Sequence, residues 1–272
     1  MFEFLLLTGL AIFAFALRTF ELPLFRRAGA VLVLVITYLL AYFLTGGSHW
    51  AGAIAVLGWF FLPWLDILTR IRQMRMPLDK KLRYRFPPSQ DVFPYLDELT
   101  EEVEQDGFVQ VEDTGWEWNE VNQFMRLFYH PEKRMQAALC MHEQGNVAFA
   151  YFSLSSRSNK GRTYTTWNYP FAYTMKTSPR ALLNRVPSVQ TFGELQEQHQ
   201  LFLFHHCLTI DDLKKQPTDS MQEQLQLETR QQVDHNLSVG LITLSGEGTF
   251  RYSWRGCVFL WVQFVKDMVR FS

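Results

Sequence analysis

Hydrophobic and polar positions divide this chain into two unlike parts. Up to residue 68 the ionisable side chains, His49 apart, are Glu3, Arg18, Glu21, Arg26, Arg27 and Asp66, and they separate three apolar runs at 4–17, 28–44 and 51–65. A membrane-spanning helix takes about 20 mostly apolar residues, within a range of about 17–25. The second run meets that length. The first meets it if residues 2–3 reach the interface. The third meets it if it continues to about residue 70, where Asp66 stands four residues before Arg70 and pairs with it. One such run alone would also describe a buried core helix, but three in succession with short connections predict three membrane helices over residues 1–69. A cleaved signal peptide competes for the first run, because Ala14-Phe15-Ala16 resembles a small-residue cleavage site. However, Met1-Phe2-Glu3-Phe4 lacks the basic stretch that precedes such a segment.

Basic residues in the connections set the expected orientation. The first connection holds Arg18, Arg26 and Arg27, whereas the second, Gly46-Gly47-Ser48-His49-Trp50, holds neither Lys nor Arg. After the third run come Arg70, Arg72, Arg75, Lys80, Lys81, Arg83 and Arg85, opposed by Asp79. This pattern predicts an integral protein of the plasma or inner membrane, with the N-terminus outside and everything beyond residue 70 cytoplasmic. Cys140, Cys207 and Cys257, an odd number without framework spacing, suit a reducing compartment. The sequon Asn236-Leu237-Ser238 would go unused there. Within the bundle, Ala51, Gly52 and Ala55 offer a small-residue packing face, Pro63 predicts a kink, and Trp50 and Trp64 stand where interfacial anchors are expected. Asp66, near an end and paired, does not mark a transport pathway.

The polar part begins with a basic juxtamembrane linker at 70–88, whose seven cations are expected to lie against anionic headgroups at about 1 kcal/mol each near the surface. Ordinary positive-inside anchoring accounts for them as well as recognition of a particular phosphoinositide does. Residues 87–113 then reverse the charge, with nine acids and no Lys or Arg. Val92, Leu96, Leu99 and Val103 recur at helical spacing, predicting an amphipathic helix with an acidic outer face that stops at Gly107. Next come strand patterns at 108–112, 123–129, 135–141, 146–154 and 162–168, with a polar hairpin loop at 155–161. Tight turns between strands argue for an antiparallel meander. Thr191-Phe192-Gly193-Glu194 has a capping-box pattern opening a helix to about residue 206, and Thr209-Ile210-Asp211-Asp212 resembles a second helix start. The Gln-rich stretch 219–238 reads as a helix exposed along most of its length or contacting a partner. Residues 241–244 and 249–254 form a last candidate hairpin. The segment 256–272 gathers Gln263, Lys266, Asp267 and Arg270 on one helical face, so it is expected to lie in the interface or to pack into the domain core.

The composition fits this division: 48% of the 272 residues are hydrophobic and 19% charged, with a net charge of −1. Disordered, collagen-like and disulfide-scaffold classes are excluded, and there is no global charge argument for nucleic acid. Mean hydropathy of −0.08 averages the two parts.

Candidate chemistry is sparse. His199, His205 and His206 share one predicted helix, but none are three or four apart, so they read as surface histidines rather than metal ligands. Cys140 and His142 would share a strand face, yet Cys140 sits in a core-like strand where thiols are inert. No phosphate-cradling glycine motif is present. The loop cations Arg157, Lys160 and Arg162 could hold an anion or a lipid headgroup, and Trp167 with Asn168 could form the floor of a ligand groove; a solvated hairpin and a half-exposed sheet face would have the same composition. The sequence therefore predicts three membrane helices, a cytoplasmic α+β domain over 89–255 with an antiparallel meander sheet and flanking helices, and an amphipathic C-terminal helix. No catalytic residue, metal or cofactor is assigned. The expected function is a membrane-anchored accessory or regulatory module that meets the lipid bilayer and binds a protein partner, a second copy of itself or a small ligand. A membrane-tethered lipid enzyme and a subunit of a larger complex are the alternatives.

Overall fold

The computed structural model describes residues 2–20, 22–119, 121–145, 147–171, 173–246 and 248–271. Glu21, Asn146, Glu247, Ser272 and the side chains of Val269 and Arg270, which enter the expectations above, lie outside the described residues. The helices are α1 (Phe2–Thr19), α2 (Pro23–Leu44), α3 (His49–Asp66), α4 (Leu96–Gln105), α5 (Phe192–His205), α6 (Met221–Ser238) and α7 (Trp254–Phe271). The strands are β1 (Met76–Pro77), β2 (Arg83–Tyr84), β3 (Val109–Trp118), β4 (Val121–His130), β5 (Met135–Gln144), β6 (Val147–Arg157), β7 (Thr163–Trp167), β8 (Ala181–Arg185), β9 (Ile242–Leu244) and β10 (Thr249–Tyr252). They form two compact units, one of residues 1–74, 172–174 and 251–272, the other of 75–171 and 175–250.

In the first unit, the segments Leu24–Leu44 and His49–Ile71 are long and apolar enough to cross a membrane, with mean hydropathies of 2.0 and 1.8. Ser48 caps α3 by accepting a hydrogen bond from the Ala51 amide, satisfying one of the free donors at a helix start. Gly52 lies where a Cβ would meet the Tyr38 ring at 2.6 Å, so the small residue lets α2 and α3 approach. Pro63 removes a ladder donor, and one turn on the helix loosens into a π-helical turn, Ile67–Ile71. Arg70 lies 3.8 Å from Asp66. The helix α7 belongs to this unit. Its Trp261 Nε1 donates to the Phe60 carbonyl at 2.7 Å and its ring stacks on Trp64, while the Arg72 guanidinium lies 3.7 Å over Trp254.

The second unit is an α+β domain built on a seven-stranded sheet in the order β2-β3-β4-β5-β6-β7-β8, antiparallel except for the parallel pair β7–β8. A second sheet has the order β1-β10-β9. The meander matches expectation, with three differences. The short strand at 108–112 is the ten-residue β3, its alternation hidden by polar residues and by a register shift between Gln110 and Glu112. Residues 155–157 continue β6 instead of opening a loop. The stretch read as a linker contributes β1 and β2, which pair with Phe250 and Thr249 and with Gly115 and Thr114.

The period of two along the central strands sends alternate side chains to opposite faces. On the first face Phe124, Phe128, Leu139, Met141, Phe152 and Leu154 meet Leu96 and Val103 of α4 and Phe192, Leu195 and Leu203 of α5. As predicted, Leu96, Leu99 and Val103 face inward from α4, which ends near Gly107, whose φ of +86° is the left-handed conformation glycine allows. Val92, expected on the same stripe, lies before the helix and is exposed. Thr191 caps α5 by accepting from the Glu194 amide. The helix expected at Thr209 is a single 3-10 turn, Ile210–Asp212, with a capping box. Polar groups inside this face are paired: Arg126 donates twice to the Asp113 carboxylate, each at 2.9 Å, and once to Thr100. His199 is not a surface residue. It is fully buried between Ser156 and Thr166, 3.0 Å from each hydroxyl, and burial lowers it to about 3.

Candidate functional site

The second face of the sheet carries Met125, Leu127, Tyr129, Ala138, Cys140 and Tyr151, with Leu82 and Met221 packed on them. The Gln-rich helix α6 lies on this face, which corrects the expectation of exposure: only Glu223, Leu227, Gln231, Asp234 and Ser238 are exposed, a narrow stripe at helical spacing. Its docking is largely polar, which is why apolar periodicity failed to reveal it. Glu228 accepts from Arg157 at 2.6 and 3.0 Å and from Thr163 at 3.1 Å. Gln222 and Gln226 hold the backbone of Leu82. The Gln222 amide donates to Glu112, a carboxyl that its burial raises above the ordinary range.

Beside α6 the face is incompletely filled. A pocket of about 240 Å³ is lined by Leu82, Met125, Ala138, Tyr151, Trp167 and Leu225, with Lys80 and Trp116 at its edge. Its aromatic wall is continuous: Tyr151 stands edge-on to Trp167 and to Tyr169, with ring centres 6.1 and 4.9 Å apart. One hydrogen-bonded chain fixes the wall. Trp116 Nε1 donates to Gln123 Oε1, and Gln123 Nε2 donates to the Tyr151 hydroxyl at 3.0 Å, which contacts the Cys140 thiol. Burial pushes Cys140 up to about 12 and Tyr151 well above its ordinary value, so both stay protonated and neither is a nucleophile at neutral pH.

A second cavity of about 550 Å³ opens against the other side of Trp116, lined by Lys80, Lys81, Arg83, Arg85, Gly115 and Trp118, together with Asp79 and Glu117. Its acids are engaged elsewhere. Asp79 accepts from Arg230 and Glu117 from Arg85, at 2.5 and 2.6 Å. Arg85 also bonds Asn122, and its side chain lies across Gly115, where any Cβ would run into the Gln123 carbonyl and Arg85 itself. Among the described residues, Lys80, Lys81 and Arg83 have no carboxylate partner. Lys80 lines both cavities, its ammonium 4.2 Å from the centre of the Trp116 ring. Desolvation brings it down to about 8, while the ring's negative face favours the charged form. A third hollow, of about 400 Å³, lies between His142, Val147, Phe149, Tyr169 and Phe171.

The predicted site residues separate. Arg157 is buried and committed to Glu228 and Gln136, so it leaves the loop cluster. Lys160 and Arg162 are exposed on a short turn whose Asn159 is held by the backbone of residues 211–212. Asn168 is a backbone clamp, accepting from the Phe152 amide and donating to the Val189 carbonyl. Trp167 alone lines the aromatic pocket. Of the seven juxtamembrane cations, Lys80, Lys81, Arg83 and Arg85 come together around the cleft, and the Arg75 carbonyl accepts from Trp118 Nε1. Sequence reasoning missed Trp116, Gln123 and Tyr151. The signal that could have found Trp116 was aromatic density in Trp116-Glu117-Trp118 opposite a Lys-rich segment. Among the described residues no group of three His, Cys, Asp or Glu side chains is arranged to hold a metal ion. The chain matches no known protein family, no curated protein sequence and no solved structure.

Proposed function

We propose that this protein is a membrane-anchored, non-catalytic accessory or regulatory module whose α+β domain binds a small anionic ligand at the inner leaflet, in the cleft beside β2 and β3. Three helices span the membrane in this reading, with the N-terminus outside. Its support is the 18-residue length of α1, roughly 27 Å at 1.5 Å per residue, the exposure of apolar side chains such as Phe4, Phe15, Ile54 and Phe61, and the confinement of basic connections to one side. The helix α7 lies in the cytoplasmic interface in this reading, with Trp261 turned to α3.

The observation that carries ligand binding is Lys80: a desolvated ammonium without a carboxylate partner among the described residues, shared by two cavities and flanked by Lys81 and Arg83. A cation in that setting offers a built counter-charge to an anion. The test is thermal unfolding of the full chain in nanodiscs against a panel of organic and inorganic anions. Stabilisation by at least one anion, lost in Lys80→Met, is expected. If every anion leaves the unfolding temperature unchanged, and a protein partner or a second copy co-purifies in fixed ratio, the module acts through that partner instead.

A further inference from the structure

The two cavities meeting at Lys80 and Trp116 differ in chemistry. The outer one is cationic: Lys80, Lys81 and Arg83 lack acidic partners among the described residues, and the two carboxylates on its wall are already paired. The inner one is lined by Leu82, Met125, Ala138, Leu225, Trp116, Tyr151 and Trp167. Two of the polar side chains on its wall, Gln123 and Thr229, are already bonded. Gln123 is bonded on both sides, by Trp116 and to Tyr151, and the Thr229 hydroxyl donates to the Leu225 carbonyl. A planar heterocycle would bring hydrogen-bonding groups of its own into a space whose lining is mostly apolar, where an unpaired polar group is costly. Hydrocarbon brings none, and it would restore the dispersion contacts that an unfilled apolar lining forgoes.

We infer that the ligand is an amphipathic anion, a carboxylate or phosphate head held by Lys80, Lys81 and Arg83 with a hydrocarbon chain entering the aromatic pocket behind Trp116. This rests on the cleft being the ligand site proposed above, and it names what that site selects. The head needs no metal and no covalent step. Lys80 holds the head at the junction, while the chain lies along the Trp116, Tyr151 and Trp167 wall. Two sources supply such a molecule: a phospholipid of the leaflet with one chain lifted out, or a free fatty acid or alkyl phosphate.

The experiment uses the full chain in phosphatidylcholine nanodiscs and follows tryptophan emission, since a bromine atom on a bound chain quenches nearby indoles. An ω-bromo fatty acid is expected to give a saturable quenching component that disappears in a Trp116→Phe, Trp167→Phe variant with unchanged far-ultraviolet circular dichroism and unfolding midpoint. Apparent affinity should fall about tenfold or more in Lys80→Met, as for the loss of a charged hydrogen-bonding partner. Millimolar inorganic phosphate should not displace it. Quenching by a brominated anionic phospholipid built into the disc assigns the leaflet as the source, and quenching by the free acid alone assigns a soluble amphiphile. If inorganic phosphate stabilises the protein and displaces dodecyl phosphate at matched concentration, the anion site stands and the amphiphile inference falls. If no probe of either kind binds the folded protein, the ligand-binding reading falls with it.

Discussion

On one face of the seven-stranded sheet, Phe124, Phe128, Leu139 and Phe152 meet two helices that close over them; on the other, Met125, Cys140 and Tyr151 meet one helix that does not. The same strands supply both. The first face is sealed by apolar helix positions three and four apart, and its polar groups, Arg126 with Asp113 and His199 with Ser156 and Thr166, are fixed to one another. The second is held at its rim by Arg157, Glu228, Gln222 and Gln226, leaving an aromatic hollow in the middle. A sheet whose two faces are both apolar has two cores to build, and the one fastened through polar contacts at its margin keeps an unfilled pocket.

Equivalent ion pairs on the two faces sharpen that contrast. Asp113→Ala strands the Arg126 guanidinium in a sealed interior and should cost about 3–5 kcal/mol, measured by chemical denaturation of the full chain. Glu228→Ala on the other face, where the carboxylate is 22% exposed and Gln136 still holds Arg157, should cost about 1–3 kcal/mol. Equal losses would mean that the second face is as tightly closed as the first.

His199 gives the first face a pH signature. Its ordinary value is 6.5 and burial lowers it to about 3, so between those values the unfolded chain takes up a proton that the folded chain refuses. Stability is therefore complete above about pH 6.5 and is lost as the pH falls toward 3, at roughly 1.4 kcal/mol per pH unit. His130 and His142, also lowered by burial, add to the same slope. His199→Gln should remove the largest share of it between pH 6.5 and 5, and an unchanged slope would place the proton elsewhere. Thr191→Ala should cost about 1 kcal/mol through loss of the α5 cap.

The smallest effect on stability belongs to the second face and concerns binding. Lys80 is lowered to about 8, so anion affinity should fall as the pH rises through that value and be independent of pH there in Lys80→Met. The groups near it, His142, Cys140 and Tyr151, do not acquire charge in that window. Titration calorimetry of octanoate, a carboxylate fully ionised at both pH 7 and pH 9, measures the difference.

Local pattern made part of this legible. The two longest apolar runs, the α4 stripe, the Thr191 cap and the meander follow from periodicities of 3.6 and 2 and from turn residues, all of which are short-range properties. The strand β8 was not legible, because Ala181-Leu182-Leu183-Asn184-Arg185 has no alternation and its parallel partner lies beyond a loop. Nor was the burial of His199 and Arg157, since each is stabilised by residues 33 to 71 positions away. The pocket was visible only at Trp167. Trp116 and Tyr151 come together through pairing of β3 with β4, β4 with β5 and β5 with β6, and the segment carrying Lys80 joins them through pairing of β2 with β3, a sum of registers that no local window contains.

The small sheet has a mechanical meaning. Met76 pairs with Phe250 and Pro77 with Thr249, and the Leu78 amide donates to the Gly248 carbonyl, so the first entry into the second unit and the last exit from it run through one antiparallel ladder. Both tails depart from the same end of it. A pull between them would open the rungs one after another, as a zipper opens, instead of shearing them together. Load applied to these two tails would act first on those few backbone bonds, fraying β1 from β10 before it reached the seven-stranded sheet.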